Sequence, residues 1–177
     1  MKFLFPLTAC LLLLFPPAPA FGQETGPRGF RNLLLGMSLE AVKEELQRDP
    51  WFFFRGDPDV SLLLAPNESL IDCRGSGYIR RAAFQFDQGR LFIITLMIDS
   101  RRSDYYSLFL TLQERFGEFE SLSPDKVVWD DGQTRLTLER PLTVKYIDRA
   151  VFDRKLAEAR AGADLLEQSH RDFLNQF

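Results

Sequence analysis

Asp87-Gln88-Gly89-Arg90 separates two runs of strand-forming residues, 78–86 and 91–98, and this turn between apolar arms restricts the folds open to the chain more than any other feature. A short Gly-containing turn between two such runs signals a β-hairpin. The second arm, Leu91-Phe92-Ile93-Ile94-Thr95-Leu96, is apolar on both faces, which predicts a strand inside the sheet rather than at its rim. Asp130-Asp131-Gly132-Gln133 repeats the signal between Val127-Val128-Trp129 and residues 134–139. Shorter strands are predicted over 60–65, 70–73 and, after Pro141, 142–147.

Helical spacing appears three times. Leu39, Val42 and Leu46 recur behind Ser38, a good N-cap, and the helix should stop near Arg48 because Asp49-Pro50 disfavours further α geometry. Behind Ser103-Asp104, residues Tyr105, Leu108, Phe109, Leu112 and Phe116 form a stripe that ends at Gly117. From Asp148 onward Phe152, Leu156, Ala159, Ala163, Leu166, His170, Phe173 and Phe177 are spaced alternately by four and three, a heptad seam sustained for more than three heptads. That helix would run roughly 27 residues, or about 40 Å, and should project beyond the domain that carries it. The order of elements gives an α+β fold, an antiparallel sheet with helices packed on one face, plus a long C-terminal helix.

The start of the chain has the form of an export signal. Met1-Lys2 precedes an apolar run to Phe15, and Ala18 and Ala20 suit a signal peptidase cutting between Ala20 and Phe21. Leu7-Thr8-Ala9-Cys10 resembles a lipobox, but only six residues precede it and an apolar run rather than a polar tether follows Cys10. The resulting division is a signal peptide over 1–20, a flexible lead-in over 21–31, the α+β domain over 32–148 and the C-terminal amphipathic helix over 149–177. No transmembrane span is expected after cleavage, since the apolar run is shorter than the roughly 20 residues that cross a bilayer. The expected location is periplasmic or extracellular, envelope association included.

Composition narrows the function classes. Without Lys2 the chain has 21 basic and 25 acidic residues, a net charge of −4, which offers no basic field for nucleic acid. Cys10 leaves with the leader, so Cys73 stands alone and no internal disulfide is expected. His170 is the single histidine, too few for a zinc site or a nucleophile–base pair with Cys73 or Ser76. Asp57-Pro58-Asp59 and Asp130-Asp131 are paired carboxylates that read as solvated turns rather than calcium loops. No catalytic residue, cofactor or metal is expected.

Leu35-Gly36-Met37-Ser38-x-x-x-Val42 resembles the Gly-Met-Ser/Thr-x-x-x-Val opening of the BamE/SmpA family of outer-membrane assembly lipoproteins. Leu112-Gln113-Glu114-Arg115-Phe116-Gly117 looks like the Leu-x-x-Lys-Tyr-Gly helix end of many exported α+β proteins. The chain departs from the BamE/SmpA pattern in lacking a Leu-Gly-x-Pro ending after the first helix and in being longer. The resemblance implies a helix-on-antiparallel-sheet module of the BamE or β-lactamase-inhibitor-protein style, whose members bind proteins, and it transfers no site residue.

The expected function is therefore a non-enzymatic exported protein-binding or envelope-assembly module. Its partner would be another protein, or a second copy through the C-terminal helix. The interaction candidates are Phe152, Leu156, Leu166, His170, Phe173 and Phe177 on that helix, with Trp51 and Phe53 from the aromatic run 51–54. The alternative is an exported small-ligand binder or enzyme built on the Cys73 to Tyr78 turn and the same aromatic run.

Overall fold

A computed structural model describes residues 27–63 and 67–176. The expected leader, the lead-in as far as residue 26 and the seam residue Phe177 lie outside the described residues. The first described element is a small hairpin of β1 (Gly29–Phe30) and β2 (Leu33–Leu34). The chain continues through α1 (Leu39–Arg48), β3 (Phe52–Phe53), a 3-10 turn (Asp57–Asp59), β4 (Val60–Leu62), β5 (Glu68–Gly75), β6 (Ile79–Asp87) and β7 (Arg90–Ile98). Then come α2 (Tyr105–Phe116), β8 (Ser121–Leu122), β9 (Lys126–Asp130), β10 (Thr134–Glu139), β11 (Thr143–Asp148) and α3 (Arg149–Leu174). The molecule is of the α+β class.

One antiparallel sheet has the strand order β3-β5-β6-β7-β11-β10-β9-β8, and β4 pairs with β5 beside β3. The order is the same read inward from either edge. Each half offers a helix followed by strands that step towards the centre, and the halves meet where Ile94 of β7 lies opposite Tyr146 of β11. The apolar run 91–96 thus forms a central strand, as its two-sided hydrophobicity requires. Its hairpin turn is two residues long, Gln88 and Gly89, both at positive φ (49° and 73°), the geometry that matches strand twist.

Local chemistry sets the helix boundaries. The Ser38 hydroxyl accepts from the Ala41 amide and the Asp104 carboxylate accepts from the Ser107 amide, so both helices start on side-chain caps. Gly117 closes α2 at φ 78°, which a side chain would strain. One face of the sheet carries Ile71, Phe84, Ile94, Leu96, Val144, Leu136 and Trp129, and these join Val42 and Leu46 of α1 and Leu112 of α2 in a single buried cluster. Burying each large apolar side chain contributes about 1.5–3 kcal/mol. Trp129 keeps its polar end satisfied by donating Nε1–H to the Gly117 carbonyl at 3.0 Å. α3 contributes no buried residue.

The two aspartate pairs differ from the sequence reading in one respect. Asp131 lies in an exposed turn, where it accepts from the Gln133 and Thr134 amides. Asp59 and Asp130, in contrast, are withdrawn from solvent as ion-pair anchors. Arg55 holds Asp59, and Arg135 and Arg149 converge on Asp130 at 3.1 and 3.0 Å. The arginines come from outside each aspartate pair, so the pair's own spacing carries no sign of them.

Candidate functional site

The second face of the sheet has neither α1 nor α2 over it. Strand register places Phe53, Arg74, Arg81 and Met97 in one row across β3, β5, β6 and β7, each directly opposite the next. With Arg55, Asp59, Asp72 and Arg80 they line an open groove of about 1090 Å³. A smaller cleft of about 340 Å³ adjoins it, sharing Phe53, Arg74 and Arg80 and reaching the Gly75-Ser76-Gly77 turn, Asp99, Arg101 and Arg102. Phe53 is 58% exposed, a large ring left open to solvent at the row's end.

The electrostatics of this region are one-sided. Six arginines, Arg55, Arg74, Arg80, Arg81, Arg101 and Arg102, face three carboxylates, Asp59, Asp72 and Asp99, and no lysine takes part. Arg55 donates Nε–H to Asp59 at 2.9 Å, Arg81 forks onto both oxygens of Asp72, and Arg101 forks onto Asp99 at 3.0 Å on each arm. Burial pushes the Asp59 carboxyl up, but the Arg55 hydrogen bonds outweigh it and hold it below the usual aspartate range. The Arg101 hydrogen bonds bring Asp99 down to about 2. Among the described residues Arg74 and Arg80 have neither a carboxylate nor a hydrogen-bond partner, so the region has an excess of positive charge in a chain of net charge −3.

Cys73 lies beneath the groove, buried on the core side of β5. Burial, reinforced by Asp59 and Asp72, pushes its thiol up to about 12, so it keeps its proton at neutral pH and lacks the thiolate that nucleophilic chemistry uses. No group of three or more His, Cys, Asp or Glu side chains with metal-binding spacing occurs among the described residues.

The aromatic run 51–54 divides between environments. Phe52 enters the core, edge-on to Phe30 and Phe84, while Phe53 faces the groove. Trp51 is half-buried, stacked on Tyr78 at 6.2 Å with the Arg31 guanidinium 5.6 Å from its ring centre. Phe53 therefore lines the groove, while Trp51 packs on Tyr78 at the neighbouring turn.

α3 is the second exposed feature. Its first turns are tied to the sheet end by ions: Arg149 to Asp130 at 3.0 Å, Arg154 to Asp87 at 2.5 Å, and Lys155 to Asp87 at 3.2 Å and to Glu68. Lys155 also lies 5.8 Å above the Phe92 ring. Burial raises the Asp87 carboxyl, but hydrogen bonds from Arg154 and Lys155 outweigh that and lower it overall. Phe152 is half-buried at this junction, and every described residue from Leu156 to Gln176 is exposed, Leu166, His170 and Phe173 included. No helix among the described residues is long and apolar enough to cross a membrane.

Of the interaction candidates named from sequence, Phe53 alone lines the arginine groove, and Leu156, Leu166, His170 and Phe173 share one exposed helix. The arginines were not anticipated. Arg80-Arg81 and Arg101-Arg102 stand in the sequence as dipeptides, yet only strand pairing brings them to Arg74 and Phe53.

No curated protein matches the chain, and no solved structure does. A family profile described as the TP0088 domain matches residues 28–158, which span β1 to the first turns of α3 and include the whole sheet. The chain belongs to the TP0088 domain family.

Proposed function

We propose that this protein is a non-enzymatic exported module that binds another protein, gripping an acidic segment of that partner on the uncovered face of its sheet. The observation that carries the reading is the row Phe53, Arg74, Arg81 and Met97, in which, among the described residues, neither Arg74 nor Arg80 beside it has a counter-ion. Arginine presents a planar fork that matches a carboxylate at two points, and a groove furnished with arginine and no lysine favours such paired contacts. Phe53 and Met97 add the aromatic and thioether surface that protein interfaces are enriched in. The excess positive charge draws acidic partners and repels basic ones.

Export is supported by the leader pattern over residues 1–20. The Leu35-Gly36-Met37-Ser38 opening, with Ser38 capping α1, supports grouping the protein with helix-on-sheet binding modules of the BamE type. The small-ligand reading draws support from the 340 Å³ cleft, at the low end of the range for small-molecule sites, where Arg80, Arg101 and Arg102 surround a glycine-rich turn.

Titration of a fluorescein-labelled oligoglutamate peptide with the purified chain tests the reading. Binding is expected, weakening as salt rises, with about a tenfold loss in the double variant Arg74→Glu/Arg80→Glu. Oligolysine is expected not to bind. Equal affinity in the wild type and the double variant overturns the acidic-partner reading, and binding that inorganic phosphate abolishes stoichiometrically favours the small-anion one.

A further inference from the structure

Leu156, Ala159, Ala163, Leu166, His170 and Phe173 form one stripe on α3 at alternating steps of three and four, on a stretch where every described residue is exposed. Leu156 is 40% and Leu166 74% exposed, and Leu165 and Leu174 add further uncovered apolar surface nearby. A stripe of this period is the seam of a paired helix, and the side-chain sizes along it restrict what can lie on it. We infer that α3 pairs with α3 of a second copy of this chain, antiparallel, with Ala163 of one helix against Leu166 of the other. The inference is independent of the arginine groove.

Size complementarity points to this register. With Ala163 against Leu166, the next layers outward set Ala159 against His170 and Leu156 against Phe173, and the two-fold axis repeats all three. Each alanine then meets a larger side chain, which fills the layer. A parallel pair would set each residue against itself. Two consecutive layers would be alanine on alanine, and His170 would face His170.

Charge points the same way. Asp153, Arg160, Glu167 and Leu174 flank the seam on one side, and Lys155, Gly162, Ser169 and Gln176 flank it on the other. Antiparallel pairing brings Arg160 to Glu167 of the second copy, once on each side of the axis, and brings Gly162 to Ser169, where small side chains let the backbones approach. Parallel pairing would bring Lys155 to Arg160, like charge to like. The helix is thus complementary to a reversed copy of itself and not to a parallel one.

Sedimentation equilibrium of the full chain tests the pairing, with helicity followed by circular dichroism as a control for folding. A wild-type dimer is expected. Arg160→Glu and Glu167→Arg should each weaken it about tenfold, and the double swap R160E/E167R should return it to within about threefold of wild type. Arg74→Glu should leave the dimer intact, which separates this inference from the groove reading. Tighter association in R160E signifies parallel pairing and overturns the proposal, as does a wild-type chain that stays monomeric up to about 1 mM. Variants of unchanged affinity overturn it equally.

Discussion

Arg74 and Arg81 lie directly opposite each other on β5 and β6, yet Asp72 holds only Arg81. Like charges in facing positions of a sheet destabilise it, so this arrangement is costly to the fold. Substituting Arg74→Thr places a strand-favouring residue there and removes the repulsion. The urea midpoint should rise by an amount equivalent to about 0.2–1 kcal/mol at unchanged slope, while binding of an acidic peptide falls. A lowered midpoint would show that Arg74 supports the fold.

Cys73 should be chemically silent in the folded protein. Its thiol is pushed up to about 12 by burial and by the neighbouring carboxylates, so a thiol reagent at pH 8 should react only at the rate at which the domain opens. Full reactivity within seconds under native conditions would place the thiol at the surface.

Asp130 gives the fold a defined acid sensitivity. Burial raises its carboxyl, but hydrogen bonds from the Gly132 amide, Arg149 and Arg135 prevail, and its folded value lies below the ordinary one of about 3.9. A group depressed by folding contributes stability that is complete above the unfolded value and disappears as pH falls through the folded one. Thermal stability should therefore hold from neutrality to about pH 4 and fall below it, and Asp130→Asn should flatten that fall. At pH 7 the variant should lose about 2–3 kcal/mol, because two arginines are left facing an uncharged amide.

Phe84 has no exposed surface and sits edge-on to Phe52, 5.8 Å away, at the centre of the sheet's covered face. Truncation to alanine should cost about 3–5 kcal/mol in chemical denaturation. A loss under about 1 kcal/mol would mean that α1 and the sheet can close over the cavity.

Processing can be read directly by mass. The chain recovered from an exporting host should begin at Phe21, and an acylated Cys10 at the N-terminus would replace the leader assignment with a lipid anchor.

The architecture was legible wherever a local rule decided the outcome. Ser38, Asp104 and Gly117 mark helix ends by their own chemistry, and Gln88-Gly89 can only be a tight turn, so α1, α2 and the β6–β7 hairpin follow from short stretches of sequence. The groove was illegible for the converse reason. Phe53, Arg74, Arg81 and Met97 are far apart in the chain and meet only through the register of four strands, which no local pattern specifies. Asp59 and Asp130 were misjudged because an aspartate in a turn looks the same whether water or an arginine from elsewhere satisfies it.

The rims of the sheet decide how such a molecule behaves when crowded. β8 at one edge is two residues long, and the other edge is divided between β3 and β4, of two and three residues, by the Asp57–Asp59 turn. Neither rim presents a long straight ladder of unpaired amides to a neighbour, so strand-to-strand polymerisation has little purchase at either end. Concentrated chains are left to meet through side chains rather than backbone, by contacts that salt or a single substitution can undo, and the protein is predisposed to reversible assembly instead of fibre growth.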